Sequence, residues 1–301
     1  MYIKLKRLII GAAALFLLSS TARGAFEYSG RSAREEGMAG ANVALAGSAA
    51  GVFHNPAGLA YMERPHIVTG YSGLFMGLDD GRITNSIISG GFPLNRQYVD
   101  TVAGGWSRLQ VDDLYTEDSF TVAAASKLRD DFSVGASLKN LTVSYGEDEY
   151  TKINPVFDSG YRKSAFSMDI GALYRPSLFS FALAFSDINR PDVGLKHSNR
   201  VPAMIKIGAS RICEVSSIAL QLEHREGDTT IMTGGERELF TEHLLLRAGF
   251  RTGSRYHRII TAGFTVRSDR YRMDYAFNYP LVGIRDTLGT HKVNFSFYFT
   301  D

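Results

Sequence analysis

From His66 almost to its last residue, this 301-residue chain alternates apolar and polar side chains with a period of two, and no other feature constrains its fold as strongly. Successive side chains of a strand point to opposite faces, so the pattern describes two-faced strands and fits no helix. Phe179, Phe181, Leu183 and Phe185 fall on one face, with Ser180, Ala182, Ala184 and Ser186 on the other. Tyr271, Met273, Tyr275, Phe277 and Tyr279 alternate with Arg270, Arg272, Asp274, Ala276 and Asn278. Ile218, Leu220 and Leu222 alternate with Ala219, Gln221 and Glu223, and Val293, Phe295, Phe297 and Phe299 with Lys292, Asn294, Ser296 and Tyr298.

Soluble sandwiches alternate too, so the pattern needs a context. Residues 1-24 supply it. Lys4, Lys6 and Arg7 precede an apolar stretch from Leu8 to Leu18, and Ala22-Arg23-Gly24 offers small residues where a signal peptidase reads. The segment reads as a secretory signal peptide, so the chain is expected to be exported. The remainder contains no run long and apolar enough for a membrane helix. An exported chain of this kind is either soluble outside the cytoplasm or a β-barrel of an outer membrane.

Three features favour the barrel. Segments such as Phe132 to Tyr145 and Tyr256 to Ser268 exceed ordinary soluble strands and suit a tilted membrane crossing. Short connections at Leu94 to Gln97, Arg129 to Asp131, Arg175 to Ser177, Cys213 to Val215, Phe240 to Glu242 and Ser268-Asp269 alternate with mostly longer polar ones. The longer ones include Gln110 to Glu117, Gly146 to Arg162, Ile188 to Val201 and Pro280 to Gly289, the loop asymmetry of an outer-membrane barrel. The third feature is parity. Thirteen segments alternate plainly: 66-75, 82-92, 98-109, 118-128, 132-145, 163-174, 178-187, 202-212, 216-226, 243-252, 256-267, 270-279 and 290-299. An odd number is wrong for a bacterial barrel, and taking 229-238 as a fainter strand restores both parity and loop alternation. The expected fold is therefore all-β, a 14-stranded antiparallel transmembrane β-barrel over 66-301.

With apolar faces toward lipid, the lumen is crowded with charge. Lys139, Asp169, Lys206, Gln221, Glu223, Arg225, Arg247, Arg251, Arg267, Arg270, Arg272, Asp274 and Lys292 all fall in inward phase. Buried charges persist when paired or wet, so these are expected to pair with one another and with a plug. The plug is residues 25-65. Half of Ala33 to Ala60 is Ala or Gly, without strand alternation, as suits backbone packed close against a wall. A short helix is expected through Val43 to Ala50, and Asn55 before Pro56 reads as the cap of a helical turn over Ala57 to Met62.

Other chemistry is not encoded. The 33 basic and 31 acidic residues are spread without a basic block, which argues against nucleic-acid binding. Cys213 stands alone, and no GxSxG, HExxH, GxGxxG or Walker A pattern occurs. The seven histidines are scattered rather than spaced as metal ligands, and turn chemistry accounts for Asp79-Asp80-Gly81 and Asp112-Asp113. No enzyme, metal or cofactor is expected.

Gly37-Met38-Ala39-Gly40-Ala41, a run of small residues and then Asn55-Pro56-Ala57-Gly58-Leu59-Ala60 resemble the opening of FadL-type outer-membrane transporters and of the PorV/PorQ proteins of the type IX secretion system. Toward the C-terminus, Arg200-Val201-Pro202 leading into Ile207-Gly208-Ala209-Ser210, and Leu245 through Gly253, are similar to the PorV/PorQ side. So is Met273-Asp274-Tyr275-Ala276-Phe277 before Gly289-Thr290-His291-Lys292, whereas Tyr98 to Phe185 matches only in strand pattern. The resemblance implies a barrel in the bacterial outer membrane, surrounded by lipid, with an N-terminal hatch carrying short helices. Gly37, Gly40, Asn55, Pro56 and Gly58 would be its marks, and Lys206, Glu223, Arg247, Arg251, Arg272 and Asp274 the lumen-facing candidates. A PorV/PorQ-type protein would be a non-enzymatic adaptor whose partners are secreted proteins or secretion-machinery components. The alternative is FadL-like passage of fatty acids or other hydrophobic small molecules.

Overall fold

The computed structural model describes residues 25, 26, 30–78, 82–96, 98–239, 241–254, 258–284 and 286–299. The expected signal peptide, 1-24, and Asp79-Asp80-Gly81 lie outside the described residues. The strands are β1 His66–Leu74, β2 Ile83–Arg96, β3 Val99–Val111, β4 Tyr115–Arg129, β5 Phe132–Tyr145, β6 Arg162–Tyr174 and β7 Phe179–Ser186. They continue as β8 Met204–Ile212, β9 Ser216–Arg225, β10 Asp228–Leu239, β11 Thr241–Gly253, β12 Arg258–Arg267, β13 Tyr271–Pro280 and β14 Thr290–Tyr298. Each pairs antiparallel with its sequence neighbours, and β1 closes on β14 with His66 opposite Tyr298. Closure leaves no edge strand, which is what allows a sheet to span lipid.

The faces follow the alternation. Phe120, Phe181, Ile218 and Phe295 project outward and exposed, while Ser180, Gln221, Thr265 and Asn294 point inward and are buried. The faint strand is real: β10 pairs along its length with both β9 and β11. Its apolar signal is weak because its outer face carries Ile231, Thr233, Gly235 and Arg237, with a single large apolar side chain, while its inner face receives the plug. A Cβ built on Gly234 would lie 2.5 Å from the carbonyl oxygen of Met38.

The connections differ from expectation at one place. Gln110 to Glu117 is not a long loop: β3 and β4 extend through it, leaving a tight turn in which Asp112 takes φ +42. Both strands keep pairing up to Val111 opposite Tyr115. The Gly146 and Ile188 connections are long. The first carries α2, Glu149–Ile153, capped by Asp148.

Inside the barrel runs the plug. Its first element is α1, Ala33–Gly37, where Ser32 and Glu35 form a reciprocal capping box. The helix expected over Val43 to Ala50 does not form, because the wall takes its backbone groups. Gln221 Oε1 accepts from the N–H groups of Asn42 and Val43, Ser210 donates to Ala44 O, and Asn55 Nδ2 donates to Val43 O. Instead 3-10 turns occupy Ala49–Phe53 and Pro56–Tyr61, the second capped by Asn55 as expected. Apolar plug residues pack on small wall residues. Ala49, Val52, Leu59 and Met62 meet Ala103, Ala123 and Ala125, while Val43 and Ala57 meet Leu173, Ala182 and Ala184.

The plugged lumen as candidate functional site

The plug is keyed to the wall first by shape. Gly135 on β5 stands directly opposite Gly171 on β6, with Ala125 and Ala184 continuing the row on either side. This strip of missing side chains seats Asn55 and Pro56. A Cβ on Gly171 would lie 2.0 Å from Asn55 Oδ1, and one on Gly135 would lie 2.4 Å from the carbonyl carbon of Pro56. Ser133 Oγ then donates to Ala57 O at 2.9 Å. Asn55 therefore caps a turn, bonds Val43 and fills the seat at once. Gly58 accepts from the Gly47 N–H, Gly37 O accepts from Thr261, and Gly40 takes φ +88, where glycine is favoured. Gly37, Asn55 and Pro56 thus meet the wall, while Gly40 and Gly58 shape the plug itself.

Charge keys it a second time. Arg34 of α1 bonds Glu236 on β10. Glu236 also receives Arg247 Nε at 2.9 Å, Arg247 reaches Asp274 at 3.1 Å, and Asp274 pairs with Arg272 at 2.9 Å. One network thus runs from plug to three strands. Toward the long-loop end, Glu36 faces Arg31 at 3.7 Å and Arg251 at 3.8 Å, and Arg31 also reaches Glu223 at 3.7 Å. Burial pushes the Glu36 carboxyl up, but Arg251, Arg31, Lys292 and the Asn278 amide outweigh it and hold it down at about 2. Glu35 is likewise raised by burial and lowered further by His54, whose Nε2 lies 2.7 Å away, and by bonds from Ser32.

Of the expected lumen residues, Arg247, Arg251, Arg272, Asp274 and Glu223 join these networks. Lys206 is buried opposite Glu223 in register but has no carboxylate within 4 Å among the described residues. Lys139 pairs with Asp169 at 2.7 Å and Asp187 at 2.6 Å. Arg225 donates to the carbonyls of Ala25 and Phe26. Arg267 sits at the rim on Glu238. Arg270 is a correction: β13 begins one residue later, so Arg270 lies exposed in the 268–270 turn.

Several residues of the site had no place in the sequence reading, namely Arg31, Arg34, Glu36, Glu236 and the Gly135–Gly171 seat. A usable signal existed for the seat, since glycine at inward phase in a strand marks close approach of another backbone. Phe26 was missed as well. It is buried at the long-loop end among Leu141, Val143, Val193 and Val201, beside Tyr115 and Tyr145. Its N–H donates to Glu117 at 2.9 Å, and its φ is +67. Beside it Tyr145 meets Phe157 edge to face at 5.5 Å, and Phe157 stacks on Tyr161 at 5.3 Å. Below, the lumen is polar. A cavity of about 70 Å³ lies beside Glu35, His54 and Asn42, and one of about 20 Å³ beside Glu36, Arg251 and Lys292. Among the described residues no group of three His, Cys, Asp or Glu side chains is placed to hold a metal ion.

No family model matches the chain, and no curated protein matches it in sequence. Solved structures do match. The toluene transporter TodX of Pseudomonas putida superposes with a TM-score of 0.64 at 10% identity, over 92% of this chain and 99% of that one. The chain has the FadL-type fold. A FadL homologue of Pseudomonas aeruginosa gives a TM-score of 0.60 at 13% identity, covering 94% of this chain and 100% of the other. At such identities the likeness is one of architecture: a fourteen-stranded barrel of the kind found in bacterial outer membranes, with an N-terminal plug.

Proposed function

We infer that this protein is a non-enzymatic channel of the bacterial outer membrane, which receives small hydrophobic molecules at its long-loop, outward-facing end and uses the plug as its barrier. The observation that carries the reading is the apolar cluster that Leu141, Val143, Val193 and Val201 form around Phe26 at the long-loop end of a barrel whose plug is polar and charge-locked. A hydrophobic molecule would take the place of Phe26 among these apolar side chains, beside the convergent polar groups Glu117 and Arg225, the combination small-molecule sites use. The neighbours with this fold include a protein described as a toluene transporter, which supports the hydrophobic class. They lend no support to the adaptor role implied by the PorV/PorQ resemblance.

Binding of radiolabelled toluene and oleate to the purified barrel tests it. Val193→Asp places a carboxylate in the fully buried apolar cluster and is expected to weaken binding by about tenfold or more. Unchanged binding in a folded Val193→Asp barrel, or no binding of either compound to the native protein, would overturn the reading.

A further inference from the structure

The outer wall carries a feature that the lumen does not explain. Near the short-turn end of β6 to β9, outward side chains leave a groove of about 460 Å³. Its floor is Ala172 and Ala209, and Tyr174, Phe181, Leu183 and Leu220 form its sides. The register places these residues in two adjacent tiers. Tyr174, Phe181, Ala209 and Leu220 stand in line, as do Ala172, Leu183, Ile207 and Leu222. The alanines fall on a diagonal between the tiers, so the floor runs obliquely across three strands. Arg211 stands on the same face of β8, two residues beyond Ala209 toward the short-turn rim, exposed. Its guanidinium lies over the Phe179 ring at 5.9 Å, and it has no carboxylate within 4 Å among the described residues. An outward cation on a lipid-facing wall is unfavourable at depth and tolerated near the interface, where it can meet an anion.

A second outer groove, of about 550 Å³, makes the contrast. The arginines among its lining residues, Arg267 and Arg272, are committed to Glu238 and Asp274. Of these two, it is the β6 to β9 groove that joins an apolar trough to an outward guanidinium with no carboxylate partner among the described residues.

We propose that this groove is a binding site for one glycerophospholipid of the surrounding leaflet, its phosphate on Arg211 and an acyl chain laid across Ala209 and Ala172. Shape supplies the chain site and charge complementarity supplies the head-group site. The site needs only a barrel set in lipid, so it stands or falls apart from the passage of molecules through the lumen.

Native mass spectrometry of the delipidated, detergent-held barrel tests it, with dioleoylphosphatidylglycerol as titrant. One lipid is expected to remain bound per barrel. Arg211→Ala is expected to weaken it about tenfold, the worth of one charge-assisted hydrogen bond, with partial rescue by Arg211→Lys. Ala209→Phe fills the trough floor and is expected to abolish retention with Arg211 intact, whereas Thr69→Phe in the second groove leaves it unchanged. Heat-modifiable gel migration verifies folding of each variant. Dioleoylglycerol, which lacks phosphate, and glycerol phosphate, which lacks chains, are each expected to bind poorly. Equal retention by Arg211→Ala, or dioleoylglycerol binding as well as the phospholipid, overturns the proposal.

Discussion

Replacing Gly135 by Ala tests whether shape holds the plug. The added methyl would lie 2.4 Å from the carbonyl carbon of Pro56 and 2.5 Å from the N of Ala57, both backbone atoms. Neither can rotate aside, and β5 is fixed by ladders to β4 and β6. The plug must therefore retreat by about 1 Å to restore ordinary contact. That retreat loosens the Ser133 bond to Ala57 O and strains the turn that Asn55 caps. Overpacking of this kind costs about 1–3 kcal/mol. Falling on the plugged state alone, it raises the population of a displaced plug by about 5- to 150-fold. Single-channel recording in planar bilayers should show more frequent openings, and limited proteolysis should cut the plug faster. Gly104→Ala is the internal control. Gly104 faces outward, and its nearest neighbour would be Thr121 O at 3.8 Å, so conductance should not change. If Gly135→Ala behaves like Gly104→Ala, the seat does not hold the plug and the reasoning fails.

Removing Arg247 with Arg247→Met leaves Glu236 and Asp274 short of a buried partner, and is expected to lower stability by about 3–5 kcal/mol in denaturant unfolding; a loss under 1 kcal/mol would show that water already carries those carboxylates. For Glu36 the sign runs one way: its carboxyl falls from an ordinary 4.5 to about 2 in the folded protein, so its contribution is complete above about 4.5 and disappears as pH drops through about 2. Channel opening should accordingly increase between those limits, and Glu36→Gln, which no longer titrates against Arg251, Arg31 and Lys292, should flatten that profile. Phe181→Arg on the lipid face should impair insertion into vesicles by about 2–4 kcal/mol if it lies at mid-depth, whereas Tyr98→Arg, in an exposed short turn, should insert normally.

The alternation of Phe179 to Ser186 could be read directly because strand geometry is local, and so could the inward phase of Arg247, Arg251 and Asp274. Strand β10 was legible only through parity, since Thr233, Gly235 and Arg237 take most of its outward positions and leave Ile231 as its one large apolar side chain there. The expected helix at Val43 to Ala50 failed for a related reason. Its composition permits a helix, but Gln221, Ser210 and Asn55 offer better partners to the same backbone groups, and the first two arrive from distant parts of the chain. The Asn55-Pro56 cap was legible because its chemistry is complete within three residues.

The sequence by itself determined that this chain is an all-β barrel, which side chains turn outward and, Arg270 apart, which charges turn inward. Each of those follows from periodicity or from neighbours along the chain. Only the tertiary structure decided which charge meets which, that Gly135 and Gly171 form one seat, and that Phe26 packs into the apolar cluster at the long-loop end. Those depend on register and on closure of β1 against β14, which bring together groups up to hundreds of residues apart and leave no local trace.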